Sequence, residues 1–123
     1  IVEDITIKEA RNKPEVIELL RENRQLKNKV GGYYIASNDS SVVSYAYQRK
    51  YKLNELEKVF VCTDGFDIDV LGMTKEKFMH NISDNNIEYY AKEIKRKLLE
   101  DKNWEKYQNR FKDCDDITAI KVL

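Results

Sequence analysis

The sequence predicts an α+β fold, on three observations. Apolar residues recur at three- and four-residue spacing around residues 14–26 and 87–98, which is the pattern of amphipathic helices. Residues 58–62 and 117–122 are short runs dense in β-branched and aromatic side chains, the pattern of strands. The resulting order is helix, strand, loop, strand, helices, strand.

Each element has a local reason. Pro14 suits the first turn of a helix, with Asn12 or Lys13 ahead of it. Val16, Leu19, Leu20, Asn23 and Leu26 then share one face, Glu15, Glu18, Arg21 and Glu22 the other, and the helix should end before Gly31-Gly32. Tyr33 to Ser37 reads as a strand stopped by Asn38-Asp39-Ser40. Residues 42–53 mix aromatic and basic side chains without periodicity and suit a short helix or an irregular loop. Lys58-Val59-Phe60-Val61-Cys62 has the unbroken apolar character of a strand buried on both faces. Thr74 should cap a short helix through Phe78 and Met79, and Ser83 or Asp84 a longer one. In the longer helix Ile87, Tyr90, Ala91, Ile94 and Leu98 form the buried stripe. Trp104, Tyr107 and Phe111 keep helical spacing and suit a core anchor. The strand over residues 117–122 closes the chain. Three strands make a thin sheet with unmet edges, so further strands from outside the chain, or self-association through those edges, are expected.

Composition narrows the class. The 123 residues suit a single unit, and 41% hydrophobic residues are enough for a core. The 22 basic and 22 acidic residues cancel, so no overall field draws the chain to nucleic acid or a membrane surface. No apolar run approaches membrane-spanning length. Cys62 and Cys114 match no metal-knuckle spacing, and in a Lys-, Glu- and Asn-rich chain they read as reduced thiols of a cytoplasmic protein.

Two places offer chemistry. Asp64 ends the apolar strand, and Asp113, Asp115 and Asp116 stand just before the last one. If the strands are neighbours, these carboxylates converge and repel, a situation that Mg²⁺ or Mn²⁺ relieves through oxygen ligands and water. Gly65 is expected to let the chain turn sharply after Asp64. By itself an Asp-Gly at a strand end is also an ordinary turn, and an Asp run before a strand an ordinary solvated loop.

Resemblance adds to this. Val59-Phe60-Val61-Cys62-Thr63-Asp64-Gly65-Phe66 resembles the apolar strand and Thr-Asp-Gly of metal-dependent (type 2C) protein serine/threonine phosphatases. Asp115-Asp116-Ile117-Thr118-Ala119-Ile120-Lys121-Val122 is similar to the closing motif of that family. Asn23-Arg24, followed by Asn28-Lys29-Val30-Gly31-Gly32-Tyr33-Tyr34, resembles a segment of bacterial members with a divergent domain. The three occur in family order over residues 23–123. The resemblance implies a β-sandwich of antiparallel strands flanked by helices, of which this chain is the C-terminal part. It implies a Mn²⁺ or Mg²⁺ centre and hydrolysis of phosphoserine or phosphothreonine in a phosphoprotein by a metal-activated water. Residue by residue it makes Asp64 and Asp115 metal ligands, with Gly65, Asp116 and Thr118 supporting them. Arg49 and Lys50, in the variable stretch over residues 38–54, become candidates for the substrate rim.

The N-terminal half of the family's domain has no counterpart here: Glu3 and Asp4 are early carboxylates without the glycine-rich context, and Arg11 and Arg24 read as exposed helix charges. The chain alone is therefore expected to bind metal weakly and to be inactive. The alternative is a phosphatase-like regulatory or interaction module without catalysis. His80 near a helix end, Cys62 in the strand and Cys114 among carboxylates read as structural.

Overall fold

The computed structural model describes residues 4–123, so Glu3 lies outside the described residues. The fold is mixed helix and a small antiparallel sheet. Helices α1 (Ile7–Arg11) and α2 (Pro14–Arg24) come first, then β1 (Phe60–Cys62), α3 (Lys75–Asn81), α4 (Ile87–Glu100) and β2 (Ala119–Lys121). Short 3₁₀ helices occupy Ser40–Tyr45, Leu53–Glu55 and Ile68–Leu71.

The sheet joins the two segments richest in β-formers. Phe60 pairs with Lys121, Val61 with Ile120 and Cys62 with Ala119. Backbone bonds extend the pairing on both sides, from Val122 N to Val59 O at 2.8 Å and from Thr63 N to Thr118 O at 2.9 Å. Among the described residues these are the two strands of the one sheet. Its inner face carries Phe60, but Val61 (56% exposed) and its partner Ile120 (59%) face outward and Cys62 is exposed. The expectation of a strand buried on both faces, with Cys62 packed inside, is therefore corrected: only one face is covered.

The core lies on that face. Phe66, Val70, Phe78, Ile82, Ile94 and Leu98 form it, with Phe60, Ile117 and Ala119 packed against them. Phe60 meets Phe66 and Phe78 edge-on, both with centroids 5.2 Å apart, a favoured aromatic geometry. α4 supplies its stripe as its spacing requires: Ile94 and Leu98 are buried and Ile87, Tyr90 and Ala91 partly so. α3 starts at Thr74, whose hydroxyl accepts a bond from Lys77 N at 3.2 Å. Its far end is held by Lys58, whose ammonium donates to the carbonyls of Met79, His80 and Ile82 at 2.9, 2.9 and 3.1 Å. These are among the acceptors that a helix end leaves without internal partners.

α4 begins later than expected. Asn86, not Ser83 or Asp84, precedes its first turn. The Asn86 side chain spans the α3–α4 connection instead, accepting from Ser83 N at 2.8 Å and donating to Asn81 O at 2.7 Å.

The first half of the chain is different. Among the described residues, every buried one lies within residues 65–104. α2 has Pro14 in its first turn as expected, yet Ile17 and Leu19 are exposed and only Val16 and Leu20 are half-buried. α1 was not anticipated, although Thr6 and Glu9 form a capping box: Glu9 N bonds to Thr6 Oγ1 at 3.2 Å and Thr6 N to Glu9 Oε2 at 2.8 Å. The strand expected over residues 33–37 is absent. Asn28, at φ 55°, organises a local turn in which its N–H bonds to Tyr33 O at 2.7 Å and its side chain accepts from Ile35 N at 2.9 Å. With those groups satisfied locally, Tyr33 forms only an isolated bridge to Lys27.

Residues 101–113 form an irregular loop. Of the three aromatic residues spaced as a core anchor, Trp104 is buried, at φ 60°, and Tyr107 half-buried, whereas Phe111 is 46% exposed. No helix among the described residues is long and apolar enough to cross a membrane.

Candidate metal centre

Antiparallel pairing decides where the carboxylates fall. The C-terminal end of β1 lies beside the N-terminal end of β2, so Asp64, which follows β1, and Asp115-Asp116, which precede β2, sit at the same end of one ladder. Thr63 ties the two together. Its hydroxyl lies 3.0 Å from Asp116 O, to which it donates, and accepts from Thr118 N at 3.1 Å. Thr118 thus supports the site through its backbone.

The turn expected after Asp64 is present, closed by Phe66 N bonding to Thr63 O at 3.0 Å, and Gly65 serves it through space rather than through φ. It is buried, and its φ is not in the left-handed region occupied by Gly31 and Gly72. A Cβ at Gly65 would lie 2.2 Å from Asp116 O and 3.2 Å from Asp115 Cβ. The glycine is needed for close approach of two backbones, not for backbone freedom.

The carboxylates divide into three environments. Asp115 is half-buried, and its Oδ1 accepts from Lys112 Nζ at 2.6 Å and from Asp116 N at 2.8 Å. Those bonds, Lys112 first, hold its carboxyl below the ordinary carboxylate value. Asp64 and Asp116 are exposed, and among the described residues their carboxylates have no hydrogen-bond or ion-pair partner. Both act on Lys112 through space, adding to the Asp115 bond that raises the ammonium's pKa. Asp113 does separate work: it accepts from Trp104 Nε1 at 2.9 Å and from Lys8 Nζ at 2.8 Å, and so fastens α1 to the 101–113 loop.

An open groove of about 390 Å³ runs beside Asp115 and Asp116, with Glu88, Lys92 and Lys95 of α4 on its other wall. Arg49 and Lys50 neither line this groove nor bond to its carboxylates; Arg49 lies over the Tyr51 ring at 4.9 Å. Lys112 and Thr63 are the residues that sequence reading missed as parts of the site. Thr63 was legible only as part of Thr-Asp-Gly, and Lys112 only as a lysine three residues ahead of Asp115.

The donor set fits a hard divalent cation in part. Asp64, Asp115 and Asp116 offer carboxylate oxygens, and Mg²⁺ is commonly held by one or two carboxylates while keeping several waters. Among the described residues, no three His, Cys, Asp or Glu side chains are grouped as they would be around a bound metal. Comparison of the chain with protein-family models, curated proteins and solved structures gave no match.

Proposed function

We propose that the chain is part of a Mn²⁺- or Mg²⁺-dependent protein serine/threonine phosphatase, acting in the cytoplasm on a phosphoprotein. One observation carries the reading: the β1–β2 pairing sets Asp64 and Asp115 at one end of one ladder, with Thr63 and Gly65 holding the two backbones together. In this reading Asp64 and Asp115 are ligands, Asp116 orients Asp115 through its N–H, and Gly65 and Thr118 keep the strand ends in register. When bound, the cation would supply activation of water and charge stabilisation at a phosphoryl oxygen. The sheet, open at both edges and apolar on its outer face, suits completion into a sandwich by the N-terminal half of a type 2C-like domain or by a second copy. The chain alone, with two ligand carboxylates, is expected to be inactive.

A second reading, a phosphatase-like regulatory or interaction module, is favoured by the lack of a third grouped ligand among the described residues. Titration of Mn²⁺ into the chain, beside Asp64→Asn and Asp115→Asn, separates the two. Weak binding in the native chain that both substitutions abolish, with no phosphopeptide hydrolysis, is the expected result. Native binding that survives either substitution would remove the shared site, and no native binding would favour the module.

A further inference from the structure

We infer that residues 47–52 are a docking strand for an extended, acidic segment of a protein partner. The inference rests on residues 24–54 alone and not on the metal reading above. The 22 basic and 22 acidic residues of the chain cancel, yet they are not evenly spread. Within residues 24–54, Arg24, Lys27, Lys29, Arg49, Lys50 and Lys52 stand against one carboxylate, Asp39. Among the described residues none of these cations enters an ion pair, whereas cations elsewhere, such as Arg96 and Arg110, do. The same stretch holds Tyr33, Tyr34, Tyr45, Tyr47 and Tyr51 out of the 8 tyrosines of the chain, and none of its residues is buried. Tyr47 is 84% exposed and Tyr51 56%. Clustered apolar surface left open beside unmatched charge marks an interaction surface.

The backbone says how a partner would be held. Among the described residues no hydrogen bond reaches the N–H or C=O of Tyr47, Gln48, Arg49, Lys50 or Tyr51. The flanking residues are extended, Ala46 at φ −68° and ψ 132° and Lys52 at φ −75° and ψ 137°. Arg49 lies over the Tyr51 ring at 4.9 Å, a contact between residues two apart, which share a side in an extended chain. The segment is thus an unpaired edge, open to a strand laid beside it. In strand addition the main chain supplies affinity and alternate side chains supply selectivity. Here the side chains on offer are Tyr47, Arg49 and Tyr51 on one side and Lys50 and Lys52 on the other. They select carboxylates spaced along an extended peptide. A nucleic acid would meet the charge and the rings but has no peptide groups to pair with the open backbone. The same segment of a second copy would set like charges opposite one another, which destabilises a strand pair.

The test uses the whole chain and a blocked octapeptide of alternating Glu and Val as the probe. A Lys-Val octapeptide and an oligothymidylate serve as comparisons. Calorimetric titration gives the affinity, and amide hydrogen exchange with mass mapping reads whether backbone bonds form. The Glu-Val peptide should bind and slow exchange at residues 47–52, and the Lys-Val peptide should do neither. Replacing Arg49, Lys50 and Lys52 together with Gln touches no buried residue and should weaken binding about tenfold, the combined worth of three exposed pairs. Glu-Val binding without protection of those amides would reduce the stretch to diffuse counter-charge and overturn the inference. Tighter binding of the oligothymidylate, or protection that appears when the chain alone is concentrated, would overturn it in favour of nucleic acid or a second copy. Absence of Glu-Val binding would overturn it outright.

Discussion

Replacing Arg110 with methionine is expected to destabilise the chain by about 3 kcal/mol, the cost of breaking a buried ion pair from one side. The guanidinium is 9% exposed and uses all five of its N–H groups. Nε donates to Tyr107 O at 2.9 Å, Nη1 to Leu98 O and Asp113 O, both at 2.7 Å, and Nη2 to Asp101 O and Oδ2 at 2.6 and 2.9 Å. One side chain thereby joins the end of α4 to both ends of the loop that delivers Asp115. Methionine replaces the stem but leaves these acceptors, several of them half-buried, without partners. Lysine should restore little, because a point ammonium cannot reproduce the planar fork. A lowered urea midpoint at unchanged slope is the measurement. A loss under 1 kcal/mol would show that the loop holds without the clamp.

The same clamp has an acid limit. Burial pushes the Asp101 carboxyl up, but the N–H groups of Tyr107, Lys106 and Glu105, together with the charge of Arg110, outweigh it and leave the pKa lowered. A pKa lower in the folded than in the unfolded chain, where it is about 3.9, gives stability that is complete above that value. That stability is lost as pH falls through the folded value. The stability difference between the native chain and Asp101→Asn should therefore narrow as pH drops below about 4. A difference constant through that range would mean that the carboxylate charge contributes nothing.

Gly65→Ala is expected to cost about 3 kcal/mol, at the upper end of overpacking penalties. The new methyl would meet Asp116 O at 2.2 Å and its carbonyl carbon at 2.9 Å, and a backbone held by the β1–β2 ladder has no rotamer through which to yield. The strand ends must part, so any Mn²⁺ binding should be lost with the stability. Gly72→Ala is the informative comparison. Gly72 sits at φ +67° with nothing within 4 Å of the added carbon, so only backbone strain, about 1 kcal/mol, applies. Equal costs in the two variants would show that space at Gly65 is not the reason for the glycine.

These residues also mark how far the sequence could be read. The α4 stripe, the Thr74 cap and Pro14 in its first turn were legible because each depends on partners within about four residues. The placement of Asp64 and Asp115 at strand ends was legible for the same reason. Thr6 and Glu9 carried a capping signal that was overlooked, and α1 was missed with it. The strand expected at Tyr33 failed because β-propensity has no effect without a neighbouring strand, and Asn28 offered the backbone a local alternative. Lys58 carried no local signal, since its acceptors lie in α3 and just after it, and Arg110 reaches beyond its neighbours Tyr107 and Asp113 to Leu98 and Asp101, which only folding brings near.

By itself, the sequence determined the α+β class, the buried stripe of α4, the Thr74 cap, Pro14 in the first turn of α2, and the two strand ends that carry carboxylates. Periodicity, capping and β-branching act over a few residues, which is why those features could be read. Only the tertiary structure decided that β1 pairs with β2, with Thr63 reaching Asp116 across 53 positions. It also decided that Gly65 serves close approach, that Asp113 belongs to a loop anchor, and that Lys112 neutralises Asp115. The reason is physical: contacts between distant segments depend on which surfaces bury the most apolar area together, and that is a property of the whole packed chain.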